Sequence, residues 1–171
     1  LGTMVANLSA HKAGWDNKWE LFSDWAVKGQ AYKEQLLFLV DEDTNAFNKI
    51  IDGFRLPKDT NEEKQARALA IENATIYATE IPFKVRETAF QSMEVMQAML
   101  KDGLQNSLSD AGVGVLCART AVIGAYFNVR INAKDIKDRA FAASILAKAA
   151  IIYEQTIAIE NDTIAFIDSK I

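Results

Sequence analysis

The stretch of this 171-residue chain with the clearest capacity for chemistry is a run of three acidic residues inside an otherwise apolar segment. On a helical wheel of about 100° per residue, the large apolar residues of the segment form one narrow stripe, and Asp43 falls within it. Asp41 lies near the polar edge of the stripe, and Glu42 points away from it. The stripe consists of Leu36, Val40, Phe47, Ile50 and Phe54.

A carboxylate that faces a protein interior must be paired, hydrogen-bonded or protonated, and these conditions also produce a general acid or base. Asp43 is therefore the first candidate for proton transfer, and Asp41 is the second. The alternative is structural: the stripe is interrupted by a solvated gap or by a buried ion pair.

Four further polar residues stand at the two ends of a segment rich in small residues, Ala111 to Ile131. Ser109 and Asp110 precede the segment, and Asn128 and Asn132 lie four residues apart on one helical face at its far end. The ordinary role of Asp110 is to cap the helix, and the alternative role is a ligand contact. An amide on an apolar helix needs a hydrogen-bond partner, which another helix or a ligand would supply.

The composition excludes several classes of protein. With 50% hydrophobic residues, the chain suffices for one domain with a substantial core. A formal charge of −4 without a dense Lys/Arg run argues against nucleic acid or an anionic membrane as the main partner. One histidine and one cysteine cannot form a disulfide or an ordinary structural zinc site, and we expect Cys117 to be unreactive. No signal peptide or uninterrupted membrane span is recognisable, so the cytoplasm is the expected location.

Long helices are the expected elements, because the chain has only two prolines and eight glycines and no strand-like alternation. The helix that carries the acidic run should end at Leu56-Pro57. The next should start at Asp59-Thr60, and Pro82 should either kink it or begin another helix. Gly103 should end that segment in a left-handed cap, and a last helix should begin between Asp135 and Asp138.

These elements predict an all-α fold, a single antiparallel bundle of about five to six helices that spans residues 1–171. The aromatic residues from Trp15 to Trp25 and the small-residue helix offer more apolar surface than such a bundle can cover. We therefore expect a homodimer with twofold symmetry. A helical partner module without catalytic activity would look similar, and it is favoured if Asp43 pairs with a buried arginine and no pocket exists.

Five motifs, in order and at compatible spacing, resemble those of one enzyme family. They are VDEDTNAF in the acidic run, the turn FRLPKDTNEEK, the segment EIPFKV, the pair Ser109-Asp110 and the run GAYFNVRIN. Together they resemble the formiminotetrahydrofolate cyclodeaminase and methenyltetrahydrofolate cyclohydrolase family over nearly the whole chain. The resemblance implies an all-α homodimeric domain that binds a tetrahydrofolate derivative and works without a metal or a nucleotide.

The resemblance also bears on individual residues. The family has acidic residues at the positions of both Asp41 and Asp43, so only the helical wheel favours Asp43. The family's basic residues after the first helix match Lys12, which would meet the glutamate tail of the folate. Asp110 and the asparagines would orient the pterin. The chain departs from the family in lacking the glycine-rich segment, resembling PxPGGGS, that usually precedes the helix beginning here at Leu1.

The activity implied by the resemblance is conversion of formiminotetrahydrofolate to methenyltetrahydrofolate with loss of ammonia. This step belongs to histidine breakdown, where the domain is often fused to a glutamate formiminotransferase or works beside one. A single carboxyl group can take one proton and return another, and ring closure also depends on alignment. Methenyltetrahydrofolate cyclohydrolase activity passes through a tetrahedral centre at the same carbon and is the first alternative. A non-catalytic folate-binding or partner module is the second.

Overall fold

The computed structural model describes all 171 residues and contains five α-helices and no strand. The helices are α1 Gly2–Ala10, α2 Trp19–Arg55, α3 Asn61–Asp102, α4 Leu108–Ala133 and α5 Arg139–Asp168. Short 3₁₀ turns precede α2 and α4. The all-α bundle predicted from the sequence is confirmed.

Helix α3 lies at the centre of the bundle, because α2 packs along one side of it and α4 along another. Helix α5 packs mainly on α4, and the short α1 contacts α2, α3 and α4 at one end. The largest hydrophobic core lies at that end. Its best-buried side chains include Val5, Phe22, Met93 and Val115. The bundle is therefore densest around α1 and more open along the rest of α2.

The helix ends follow ordinary capping chemistry at three predicted places. Helix α2 ends at Arg55, before Leu56-Pro57. Thr60 caps α3 by accepting the backbone N–H of Glu63 at 3.2 Å, while the Glu63 carboxylate accepts the Thr60 N–H at 3.0 Å. Asp138 caps α5 by accepting a backbone N–H at 3.0 Å.

The left-handed cap predicted at Gly103 is wrong, and the capping alternative for Asp110 is not observed. Gly103 is extended, with φ −77° and ψ −178°, rather than left-handed. This conformation carries the chain away from α3, so that the Leu104 N–H donates to the Ser9 hydroxyl at 3.0 Å. Asp110 is not the N-cap of α4, because that helix already begins after Ser107 and Asp110 lies within its first turn.

Pro82 neither ends α3 nor begins a new helix. The helix continues through it, so the Ala78 carbonyl lacks the N–H that a residue four positions later normally donates. The side-chain amide of Asn132, from α4, donates to that carbonyl at 2.7 Å. A side chain of one helix therefore completes the backbone hydrogen bonding of another.

The predicted core stripe of α2 is not the buried face of that helix. Its exposed members are Val40 and Phe47, each 62% exposed, and Phe54, 54% exposed. Helix α2 packs on α3 instead through residues spaced seven apart: Leu39, Ala46 and Gly53. The contact is close, since a Cβ added at Gly53 would lie 3.1 Å from the Ile71 side chain. The wheel placed the buried face roughly 80° away from its true direction, because it ranked large apolar residues above small ones.

The aromatic residues near the start of α2 divide between core and surface. Phe22 is fully buried, and Trp15 stacks on it with ring centroids 5.6 Å apart. Trp19 is exposed. Only part of this predicted stripe therefore adds to the apolar surface of the molecule.

Helices α4 and α5 have the length and composition of membrane spans, although they belong to a bundle. They pack against each other, and an ion pair joins them, with Arg119 Nε 3.0 Å from the Glu160 carboxylate. Much of their outer surface is apolar and uncovered. The exposed residues of this outer surface include Val113, Leu116, Phe127, Ile131 and Ile151. No other part of the chain covers these side chains.

Candidate active site

A groove runs between α2 and α4, with α3 as its floor. It consists of two adjoining cavities of about 450 Å³ each, which share Leu36 and Ala121. The start of α1, at Leu1 to Thr3, lines one end. The α4 wall is made of small residues: Gly114, Cys117, Ala118, Ala121 and Ala125. Because these side chains are short, the two helices leave space for a ligand between them.

Asp43 from α2 and Asn128 from α4 line the cavity at the other end. Both are exposed, and neither side chain has a hydrogen-bond or ion-pair partner in the chain. Thr44 lines the same cavity, and its hydroxyl donates to the Val40 carbonyl at 3.3 Å. Asp43 is the only carboxylate on the groove wall. The groove therefore offers a ligand one carboxylate and one amide that the protein does not use.

The other two acidic residues of the run lie outside the groove. Asp41 is exposed and lines neither cavity. Glu42 was expected to point away from the core, but it faces α3 and accepts a hydrogen bond from the Tyr77 hydroxyl. Asn45 donates a second hydrogen bond to it at 3.0 Å. The hydrogen bond from Tyr77 makes the larger contribution and that from Asn45 the smaller one to holding the pKa of the Glu42 carboxyl below its usual value. Glu42 faces α3 because α2 packs on α3 through its small residues rather than through its large apolar ones.

Tyr32, on the groove wall near α1, belongs to a hydrogen-bonded network whose other members do not line the groove. The Tyr32 hydroxyl donates to Glu94, and Lys28 Nζ lies 2.8 Å from the same carboxylate. Burial, together with the hydrogen bond to Glu94, raises the pKa of Tyr32 to about 12, so its hydroxyl stays protonated at neutral pH. Lys33 is the only basic residue on the groove wall and lies ten residues before Asp43, about 15 Å along α2. The positive charge of Lys33 and the negative charge of Asp43 therefore lie in different cavities of the groove.

The remaining predicted site residues are not in this groove. Ser109 and Asp110 lie at the start of α4. Asp110 is on the helical face that carries Asn128 but about 27 Å away, and Ser109 is about 100° round the helix from that face. Asn132 is held by the α3 backbone. Lys12 lies beyond the C-terminal end of α1, with Nζ 4.0 Å from the centroid of the Trp15 ring, whereas the groove begins at the other end of α1. Within one chain, Asp43 and Asn128 are the only predicted residues brought together.

Sequence reasoning missed three features of this site. Tyr32 and Lys33 follow the helical spacing of Leu36 and Asp43, which would have placed them on the same wall. Cys117 was expected to be unreactive among apolar neighbours, but it is exposed and lines the groove. Arg86 is fully buried next to the groove-lining Val85, at the helical spacing of apolar residues of α3. No three His, Cys, Asp or Glu side chains converge as metal ligands would.

The chain is similar to proteins of folate metabolism. A family model described as formiminotransferase-cyclodeaminase matches residues 1–151. The methenyltetrahydrofolate cyclohydrolase of Methylorubrum extorquens is 30% identical over 171 residues, which are 100% of this chain and 82% of the relative. The formimidoyltransferase-cyclodeaminase of Mus musculus is 34% identical over 141 residues, which are 82% of this chain and 26% of the relative. The chain therefore corresponds to about a quarter of the mouse protein.

A solved structure has the same fold. The formiminotetrahydrofolate cyclodeaminase of Thermotoga maritima superposes with a TM-score of 0.78, and the match covers 99% of this chain and 78% of that one. The two sequences are 19% identical. At this identity the similarity establishes the arrangement of helices and nothing about the reaction.

Proposed function

This chain belongs to the formiminotransferase-cyclodeaminase family, and we propose that it converts formiminotetrahydrofolate to methenyltetrahydrofolate with release of ammonia. The observation that carries the proposal is the groove that Asp43 and Asn128 line together, each without a partner in the protein. A folate is long and narrow, with a polar pterin at one end and carboxylates at the other. We place the pterin near Asp43 and Asn128 and the carboxylates toward Lys33, the only cation on the groove wall.

Asp43 is the proposed proton-transferring group. The N10 nitrogen attacks the carbon of the protonated formimino group on N5, and the Asp43 carboxylate takes the proton that N10 loses. The same carboxyl group returns this proton to the amino nitrogen of the tetrahedral centre, and ammonia leaves as the methenyl bridge forms. The groove also aligns the two reacting nitrogens, which removes much of the entropic barrier to ring closure. Asn128 has a donor and an acceptor with which to hold the pterin.

Hydrolysis of methenyltetrahydrofolate is the second candidate activity. The similarity to the cyclohydrolase of Methylorubrum extorquens favours it, because that match extends over the entire chain. Water would add to the same carbon that loses ammonia in the first reaction, so the same carboxyl group would serve. Both activities use one groove and one proton-transferring residue.

The deciding experiment measures turnover of both folates by the change in ultraviolet absorption of the methenyl chromophore. We expect the protein to convert formiminotetrahydrofolate, and the ratio of the two kcat/KM values ranks the activities. Asp43→Asn, which should fold normally, serves as the inactive control. Absence of turnover on both substrates would leave a folate-binding or partner module without catalysis.

Cys117 allows the binding site to be located independently of turnover. It is the only cysteine of the chain, it is exposed, and it lines the groove. A bound folate should therefore slow its alkylation by a maleimide reagent, and Cys117→Ala verifies that the label reports this residue alone. An alkylation rate that saturating folate leaves unchanged would place the ligand elsewhere.

The exposed apolar surfaces of α2 and α4 support a homodimer in solution. Asp110 and Asn128 share one face of α4, so a twofold axis across the middle of that helix would bring Asp110 of the partner subunit close to Asn128. Ser109 would accompany it, and the pterin would then have acidic and amide contacts from both subunits. Light scattering should return the mass of a dimer at micromolar concentration, and a monomer mass would contradict this assembly.

Asp110→Asn tests the contribution of this residue to binding. If Asp110 contacts the pterin, the variant should fold normally and bind folate more weakly, because asparagine cannot offer two acceptors. Unchanged affinity would leave Asp110 with only a structural role in the first turn of α4.

We place the protein in the cytoplasm, in histidine degradation, where a formiminotransferase, fused or separate, supplies its substrate.

A further inference from the structure

The side chain of Arg86 is the largest fully buried side chain of the molecule, and it has no counter-ion. No carboxylate lies within 4 Å of it, and its Nε and Nη2 atoms have no hydrogen-bond partner. Its Nη1 atom lies 3.5 Å from the Val122 carbonyl, and the guanidinium lies 4.3 Å from the centroid of the Tyr126 ring. Burial lowers the pKa of Arg86 to about 10, so it remains protonated at neutral pH.

Arg86 lies among residues that line the groove or adjoin its lining. On α3, the residues about one turn before and after it, Pro82 and Ala89, line the two cavities of the groove. On α4, its contacts Val122 and Tyr126 each follow an alanine that lines the groove. These alanines are Ala121 and Ala125. The groove wall next to these contacts is therefore built from small side chains, and the fully buried guanidinium has no water shell of its own.

Methenyltetrahydrofolate and the product of its hydrolysis differ in charge at the one-carbon bridge. The methenyl bridge carries one positive charge, shared by N5 and N10. When it is hydrolysed, the water oxygen bonds to the bridge carbon and the bond from that carbon to N5 breaks. One hydrogen of the water stays on N5, and the other leaves as a proton. The resulting 10-formyl folate is neutral at this position, so a nearby fixed cation discriminates between the two forms.

We infer that Arg86 is a specificity-determining residue of the groove, whose charge disfavours the methenyl cation relative to neutral folates. Asp43, the only carboxylate on the wall, acts in the opposite sense. The inference rests on the proposed function, because the groove must hold the folate. Its consequence is that the methenyl form, once made, is released or hydrolysed rather than retained.

The test compares Arg86→Met, which removes the charge at similar length, with Arg86→Lys, which keeps it. Both are made in an Asp43→Asn background, so that the ligands are not turned over. Relative to that background, Arg86→Met should bind methenyltetrahydrofolate about tenfold more tightly, since a buried positive charge no longer opposes the cation. Its affinity for the neutral 10-formyl form should stay the same, and Arg86→Lys should keep the original ratio of the two affinities.

A purely structural role would change the melting temperature of Arg86→Met and leave the ratio of affinities unchanged, which would overturn the inference. If Arg86→Lys changed the ratio of affinities as much as Arg86→Met does, the cause would be the shape of the side chain and not its charge, and the inference would again be overturned. If Arg86→Met does not fold, Arg86→Gln also removes the charge while retaining hydrogen-bond donors, and the same ratio decides. A parent protein that binds neither folate would instead refute the proposed function itself.

Discussion

Glu42 and Asp43 are consecutive residues of α2 with the same functional group and opposite surroundings. Glu42 faces α3 and accepts hydrogen bonds from Tyr77 of α3 and from Asn45 of its own helix. Asp43, about 100° further round the helix, faces the groove and has no partner. One carboxylate is used by the fold, and its neighbour is left for a ligand.

The two asparagines near the end of α4 repeat this contrast. Asn132 donates to the Ala78 carbonyl of α3 at 2.7 Å, whereas Asn128 lines the groove without a partner. In each pair, the partnered residue should govern stability and the unpartnered one should govern activity. Variants of the four residues test this division.

The largest effect is expected for Asp43→Asn. The change keeps nearly the same shape and removes the titrating proton, so turnover should fall by about 10²- to 10⁴-fold if Asp43 transfers protons. Thermal unfolding should be close to that of the parent protein, because no protein group depends on this carboxylate. Asp41→Asn is the matched control and should change turnover little. A dead Asp41 variant beside an active Asp43 variant would reverse the assignment.

Asn132→Ala should destabilise the protein by about 1–3 kcal/mol, because it leaves the buried Ala78 carbonyl without a donor. Urea unfolding measures this loss. The matched double variant Pro82→Ala/Asn132→Ala supplies a backbone N–H four residues after Ala78 and should recover most of the stability. If the double variant is no more stable than Asn132→Ala, the side-chain amide does not replace the missing N–H of Pro82.

Asn128→Ala should have a smaller effect, and on binding alone. The loss of one neutral hydrogen bond to the ligand predicts a rise in KM of about threefold to tenfold, with unfolding unchanged. Steady-state kinetics on the better of the two folates measures it. A loss of stability without a change in KM would show that Asn128 belongs with Asn132 among the structural residues.

The smallest effect is expected for Glu42→Gln, and it should depend on pH. Because its hydrogen bonds lower the pKa of Glu42 from the usual 4.5, the ionised carboxylate adds stability above that pH, and this is lost as the pH falls through the folded-state pKa. The melting temperature of the variant should therefore be lower than that of the parent at neutral pH and equal to it in strong acid. Its turnover at neutral pH should stay near that of the parent. A turnover defect as large as that of Asp43→Asn would end the distinction between the two carboxylates.

The helical fold follows from the sequence because its signals are local. The capping box at Thr60 and Glu63, the stop at Leu56-Pro57 and the cap at Asp138 each depend on a few adjacent residues. The placement of Asp43 near Asn128 is less local, and the sequence could suggest both residues without showing that one groove joins them. The helical bundle could therefore be predicted as a whole, whereas the residues of the site could be predicted only one by one, without their arrangement.

The failures have a common physical cause. Large apolar residues such as Phe47 and Phe54 were assigned to the core, but the helices meet where Ala46 and Gly53 permit close approach. This rotated the predicted face of α2 and reversed the expected surroundings of Glu42. Likewise, no local pattern reveals that Arg86 lacks a counter-ion, because that depends on which side chains of α4 lie opposite it.

The bond between Asn132 and the Ala78 carbonyl also bears on the order of events during synthesis. The two residues are 54 positions apart, and α3 is complete before the ribosome has added Asn132. Until then the nascent α3 has a carbonyl that only water can satisfy, so its centre is the weakest place in an otherwise continuous helix. The docking of α4 turns that defect into a tertiary contact. During co-translational folding, the backbone hydrogen bonding of α3 is therefore completed only after α4 has packed against it with Asn132 opposite Ala78.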